Sequence, residues 1–203
     1  MSPPRPPLVL ASTSRYRREL LGRLGLPFSV HAPQVDETPR EAEDAARLAT
    51  RLALEKARAV ARLVPDALVI GSDQAAQLGD VILNKPGTHD AAVAQLRAAS
   101  GRTADFHTAV ALVHAPSGRA WQETVVTRVV YRRFSDEEVE AYLRAEPAYD
   151  CAGSAKAEGL GIALLESLDS PDPTALIGLP LIAVCRMLRA AGVPPLGTHG
   201  RAA

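Results

Sequence analysis

Aromatic side chains are scarce in this 203-residue chain, at 4%. Ala, Leu and Val must therefore fill most of its core. Cysteine is almost absent too. Cys151 and Cys185 have no metal-ligand or redox spacing and allow at most one disulfide, so two free thiols in a reducing cytoplasm are expected. Neither charge predominates, with 23 basic and 23 acidic residues. A protein that tracks a nucleic-acid backbone carries a basic excess, so phosphate recognition is expected only locally, at one pocket. No apolar run approaches the ~20 residues that span a bilayer, and the start MSPPRPP has no apolar leader segment. The expectation is a cytoplasmic protein without a membrane or nucleic-acid partner.

What is present is an interleaving of strand-like and helix-like segments. Residues 1–7 read as a Pro-rich tail, LVLA (8–11) as a buried strand, and Ser14 to Leu24 as a helix stopped by Gly25. FSVHA alternates as a strand and PQVDETPR is a loop. A long helix is expected from Glu41 to Val64, before Pro65. ALVIGSD reads as a second buried strand closing on Asp73, followed by a hairpin that turns at Gly79-Asp80 and ends at Lys85-Pro86. A helix over 89–99 precedes two long strands, TADFHTAVALVHA and AWQETVVTRVVYRRF. Ser135 and Glu138 form a capping box for a helix to Ala145. The Gly-rich CAGSAKAEGLG, a strand IALLESL and a last helix over Leu179–Ala191 follow, with 196–203 expected to fray. There is no repeat and no linker. The pattern predicts one domain over 8–195, a mixed α/β fold with flanking helices around a single twisted sheet.

Three polar residues stand where apolar ones belong. In the first helix Leu20, Leu21 and Leu24 define the buried stripe, and Arg17 falls near its middle. An inward arginine needs an anion. That anion is either a structural carboxylate, Asp36 or Glu37, or a phosphate held also by Arg18, the hydroxyls of Ser12, Thr13 and Ser14, and the first-turn N–H groups. Lys56 lies at the centre of the stripe formed by Ala45, Leu48, Leu52, Val60 and Leu63. Either it snorkels outward or it reaches into a polar cleft. Asp73 ends an apolar run at the strand edge where α/β proteins bind ligands, and is either a turn former or a catalyst.

These residues fall within LASTSRYRRELL, VDET, LALEKA, VIGSDQ and ILNKP, which are followed by LRAASG, CAGSAKAEG and IGLPL. In that order and spacing the chain resembles the Maf family of nucleotide pyrophosphatases, from Leu8 to about Pro195. The resemblance implies a two-lobed α/β fold around a nucleotide cleft, often dimeric. It also implies hydrolysis of a nucleoside triphosphate between the α and β phosphates, assisted by a divalent cation, Mg2+ or Mn2+. It assigns Asp73 as catalytic base, and Ser12, Arg17, Glu37, Lys56 and Lys85 as phosphate- and metal-handling residues. The residue types suit this chemistry. A carboxylate can take the proton of an attacking water, and Asp73 and Glu37 offer hard oxygen ligands to a metal. Arg17, Lys56 and Lys85 would neutralise the departing diphosphate.

At Tyr16, Gln74 and Glu158 the sequence is similar to the subgroup acting on 7-methyl-GTP rather than the one acting on dTTP and UTP. Methylation at N7 makes guanine cationic, and a cation over the Tyr16 face gains ~0.5–2 kcal/mol; simple packing is the alternative for Tyr16. Ionised Glu158 only accepts hydrogen bonds and matches the adjacent N1–H and N2–H2 donors of guanine; a salt bridge with Lys156 is the alternative. The chain departs from the family pattern at Arg15 (usually Pro), Tyr16 (more often Trp in this subgroup), Ala109 (commonly Gly), Ala155 and Ala157. Two other functions remain open. One is the same reaction on dTTP, UTP or another nucleotide; the other is a catalytically idle, nucleotide-binding septum regulator.

Overall fold

In the computed structural model, which describes residues 6–196, the run LVLA forms β1 (Leu8–Ala11), buried at every position. A strand buried on both faces sits inside a covered sheet. β1 pairs in parallel with β2 (Phe28–His31) on one side and β3 (Leu68–Leu78) on the other. Parallel neighbours need crossover connections, supplied by α1 (Arg15–Gly22) and α2 (Ala45–Ala61). α2 begins later than Glu41 because Asp44 is its N-cap, accepting the Arg47 N–H at 2.8 Å. The tails expected at the two ends fall almost wholly outside the described residues.

β3 does not end at Asp73, as the sequence pattern suggested. It continues to Leu78 because β5 (Thr103–His114) runs antiparallel beside it from Leu68 to Gln77 and satisfies its backbone groups. β1, however, stops at Ala11, opposite Gly71. Asp73 therefore lies just past the carboxyl edge of the parallel half of the sheet. The expected hairpin forms with β4 (Val81–Leu83).

α3 (His89–Ala99), β6 (Arg119–Tyr131) and α4 (Asp136–Ala145) follow as expected, and both halves of the Ser135/Glu138 capping box are in place. The strand expected at IALLESL is only half formed. Leu160–Leu164 is a 3-10 turn, and β7 spans Leu165–Asp169. The cause is close packing of the glycine loop: a Cβ on Gly161 would lie 2.6 Å from the Lys156 nitrogen, and Gly161 N–H donates to Glu146 Oε2 at 3.2 Å. The last helix, α5, spans Leu181–Ala190.

The strands form one seven-stranded sheet in the order β2-β1-β3-β5-β6-β7, with β4 attached to β3. At the β1 half, α1 and α5 cover one face around Leu10, Leu20, Leu112 and Leu188, and α2 covers the other against Val9, Val69 and Ala111. At the far half, α3 and α4 pack around Leu96, Phe106 and Leu143. The long strands β3 and β5 cross both lobes, and a cleft opens where the coverings part. Cys151 and Cys185 are both free, and burial pushes the Cys151 thiol up to about 12. Among the described residues no helix is long and apolar enough to cross a membrane.

Gly71 sets how closely α2 lies on the sheet. A Cβ there would collide with the Ala53 carbonyl oxygen and come within 2.6 Å of the Ala57 nitrogen. Gly71→Ala is expected to push α2 off β3, costing about 1–3 kcal/mol as an overpacked contact, measured by denaturant unfolding. Gly22→Ala, whose Cβ would meet nothing within 4 Å, is the control and should change stability far less.

Candidate active site

The cleft between the lobes has a volume of about 750 Å³, and the nine residues that the family resemblance assigns to the site line it: Ser12, Tyr16, Arg17, Glu37, Lys56, Asp73, Gln74, Lys85 and Glu158. That volume is in the usual range for small-molecule sites. Three elements converge there: β1 gives way to the α1 N-terminus, β3 passes beneath α2, and the segment just after β4 carries Lys85.

At the centre is Lys56. Close packing of α2 over Gly71 leaves it 4% exposed, with Nζ 2.6 Å from Asp73 Oδ1 and 2.7 Å from Glu37 Oε1. It does not snorkel, because its face of α2 is turned to the sheet. Asp73 is 8% exposed, and only Lys56 hydrogen-bonds its side chain among the described residues, so one carboxylate oxygen stays open to the cleft. Glu37 lies on a loop with its side chain 58% exposed. Desolvation pushes it up, but the hydrogen bond and charge of Lys56, with the charges of Lys85 and Arg17, hold it below the ordinary carboxylate range. This loop is tied to α2 by Arg51, which grips both oxygens of Glu43 at 2.7 Å and donates to the Thr38 carbonyl at 3.1 Å. Hydrogen bonding from Arg51 holds the Glu43 carboxyl down to about 2.

Arg17 takes neither of the structural carboxylates considered for it. Its Nε donates to the Gly178 carbonyl at 2.9 Å, and its remaining nitrogens have no protein partner among the described residues. Burial lowers its pKa, opposed by the charges of Asp73 and Glu37. Arg18, by contrast, is exposed and outside the cleft. Buried Ser12 accepts the Ser14 N–H at 3.1 Å, and Ser14 caps α1. Lys85 stands exposed at the rim.

The specificity positions are also brought together. Tyr16 belongs to none of the hydrophobic clusters. Its ring lies 4.7 Å from the Arg15 guanidinium carbon, and its hydroxyl accepts from Arg15 at 2.8 Å. Glu158 is exposed and does not pair with Lys156, which instead bonds Asp150 and the Pro147 carbonyl, each at 3.1 Å. The Gln74 amide nitrogen points away from the cleft, to Thr108 Oγ1 and the Leu176 carbonyl at 2.9 Å and the Ala175 carbonyl at 3.1 Å.

The sequence pattern missed the loop over 172–178. It is held by buried Asp172, which accepts from Thr174 and from the Ile182 N–H at the start of α5. Strand alternation turns Ser72 and Gln74 toward this loop and Asp73 toward α2. The loop acts through backbone carbonyls, which any residue type supplies, so only the nearby IGLPL could have drawn attention to it.

Chemically, the site offers cations around an open space and two carboxylates converging on one ammonium. A polyphosphate suits the first feature and a hard divalent cation the second. No group of three or more potential metal-ligating side chains occurs among the described residues, so a cation here would rely on the substrate and water for its other ligands.

Residues 7–191 match the family described as Maf-like protein. The chain is similar to proteins named 7-methyl-GTP pyrophosphatase from three bacteria. It is 60% identical to that of Polaromonas sp. (strain JS666 / ATCC BAA-500), over 98% of this chain and 91% of the relative. It is 57% identical to that of Albidiferax ferrireducens, over 94% and 96%, and 58% identical to that of Burkholderia pseudomallei (strain 1710b), over 100% and 94%.

Proposed function

The chain belongs to the Maf family, and on that premise we propose that it hydrolyses 7-methyl-GTP to 7-methyl-GMP and diphosphate, clearing a modified nucleotide from the cytoplasmic pool. The observation that carries this reading is the meeting of Asp73, Lys56 and Glu37 in a cleft that Arg17 and Lys85 also line.

In this mechanism the triphosphate lies against the α1 N-terminus, with Ser12, Arg17 and Lys85 on its oxygens. Backbone N–H groups and the helix dipole favour an anion there. Asp73 keeps one oxygen on Lys56 and uses the other to take the proton of the attacking water, a contribution typically worth ~10²–10⁴-fold. Arg17, Lys56 and Lys85 then meet the charge of the leaving diphosphate. Asp73 and Glu37 are the residues that would hold Mg2+ or Mn2+, whose role when bound is to neutralise phosphate charge as a Lewis acid. In the same cleft Tyr16 offers a ring and Glu158 a carboxylate, which suit a flat cationic base.

A panel of canonical and N7-methylated triphosphates, read by diphosphate release, tests this. The expected result is highest kcat/KM on 7-methyl-GTP. Glu158→Gln should lower that value by ~10–100-fold, the loss of a hydrogen bond to a charged group, with UTP altered by less than about 3-fold on the same scale. Equal activity on both nucleotides before and after the exchange rejects the base pocket. Binding without turnover of any triphosphate would favour the idle regulator.

A further inference from the structure

Arg51 stands on α2 but does not line the cleft, and all three of its guanidinium nitrogens are committed to protein partners. Nε and one terminal nitrogen grip the two oxygens of Glu43, each at 2.7 Å. That terminal nitrogen also donates to the Thr38 carbonyl at 3.1 Å, and the other donates to Glu55 at 3.0 Å. The central pair is sheltered, with the Arg51 and Glu43 side chains 12% and 8% exposed. One bidentate guanidinium therefore joins α2 to both ends of the loop segment 38–43, and Thr38 is the residue directly after Glu37.

The other bonds of this loop do less to fix it on the helix. Thr38 N–H donates to Asp36 Oδ1, and Arg40 N–H to Glu43 Oε2, each at 2.9 Å; both shape the loop from within. The Arg40–Glu55 pair is 66% and 35% exposed, where an ion pair contributes little. Lys56 holds the Glu37 side chain itself at 2.7 Å, but in the mechanism above its charge must also answer the diphosphate. The turn between the two Arg51 contacts carries Ala42 at φ +56, a left-handed conformation that a residue with a Cβ keeps only where its surroundings impose it. Hydrogen bonding from Arg51 holds the Glu43 carboxyl down to about 2, so the clamp stays ionised at neutral and mildly acidic pH.

From this geometry we propose that Arg51 is a positioning residue: it fixes the backbone beside Glu37, so that the Glu37 carboxylate stays at the cleft when Lys56 turns its charge to the substrate. This rests on the reading of Glu37 as a phosphate- or metal-handling residue. Arg51 itself touches no reacting group, and its whole effect passes through Glu37.

A double-mutant cycle tests this. Arg51→Met should lower kcat/KM for 7-methyl-GTP by ~10–100-fold, the usual cost of removing the group that orients a ligating side chain. In a Glu37→Gln background the same exchange should change it by less than about 3-fold, because there is no carboxylate left to place. Mn2+ binding in the presence of a non-hydrolysable triphosphate, read by electron paramagnetic resonance, should weaken in the same non-additive way. Arg51→Lys should rescue only in part, since one ammonium cannot span Glu43 and the Thr38 carbonyl as a planar fork does. If Arg51→Met does not fold, Arg51→Lys and Glu43→Gln enter the same cycle and should show smaller losses, again absent without Glu37. Losses that multiply with that of Glu37→Gln reveal a general structural role and overturn the inference. So does an Arg51→Met enzyme that turns over and binds Mn2+ like wild type while Glu37→Gln is impaired, for Lys56 alone would then suffice. A Glu37→Gln enzyme indistinguishable from wild type would instead sink the reading of Glu37 on which the inference rests.

Discussion

Asp73→Asn is expected to reduce kcat by ~10²–10⁴-fold, the usual contribution of a positioned general base, while triphosphate binding is kept or tightened. The exchange is nearly isosteric. Asn keeps an oxygen that can accept from Lys56 at the position now 2.6 Å away, so the local packing survives. What disappears is the basic lone pair facing the cleft and one negative charge beside the polyphosphate. The first stops turnover; the second favours the anionic substrate. Diphosphate release under single-turnover conditions measures the chemistry, and equilibrium binding of a non-hydrolysable triphosphate measures the affinity. Turnover within 10-fold of wild type would remove Asp73 from the role of base.

Lys56→Met should lower kcat/KM by ~10²–10³-fold, comparable to removing a preorganised charge-stabilising donor, and should also destabilise the fold. Truncating one partner of a buried ion pair costs about 3–5 kcal/mol. Here the expected cost is smaller, because Glu37 is largely in solvent and screened there. The effect depends on pH, with a definite sign. Glu37 sits below its ordinary value of 4.5, and Lys56 is the foremost of the groups holding it there. Such a depressed carboxylate stabilises the fold above its unfolded pKa, and loses that contribution as pH falls through the folded value. The stability gap between wild type and Lys56→Met should therefore be full near neutrality and narrow as the solution is acidified below about 4.5. Denaturant unfolding at several pH values checks this, and a gap that widens on acidification would contradict it.

Both outcomes rest on residues that sequence periodicity alone could single out. Arg17 and Lys56 interrupt otherwise apolar helical faces, and a cation in such a place must meet an anion or pay the full cost of desolvation. Asp73 closes a β-branched, apolar run. These are local signals, carried by residue types, and each was visible one element at a time. Element boundaries were less legible where tertiary contacts decided them. Asp73 lies inside β3 rather than at its end, because β5 extends the pairing. IALLESL is strand only in its second half, its first residues lying in the 3-10 segment Leu160–Leu164, because the glycine loop packs on Glu146 and Lys156.

From residue order alone came the alternating α/β pattern, the misplaced charges and the family likeness, because periodicity and side-chain type are properties of the chain itself. Only the folded molecule could decide which partners those charges take. Arg17 chose a carbonyl over Asp36 or Glu37, Lys56 bridged two carboxylates, and Lys156 turned to Asp150 rather than Glu158. It alone could also show that Gln74 is held by its back. The physical reason is the same in each case: hydrogen bonds to backbone carbonyls, and the distances between groups far apart in the chain, are set by packing and leave no trace in the identity of any single residue.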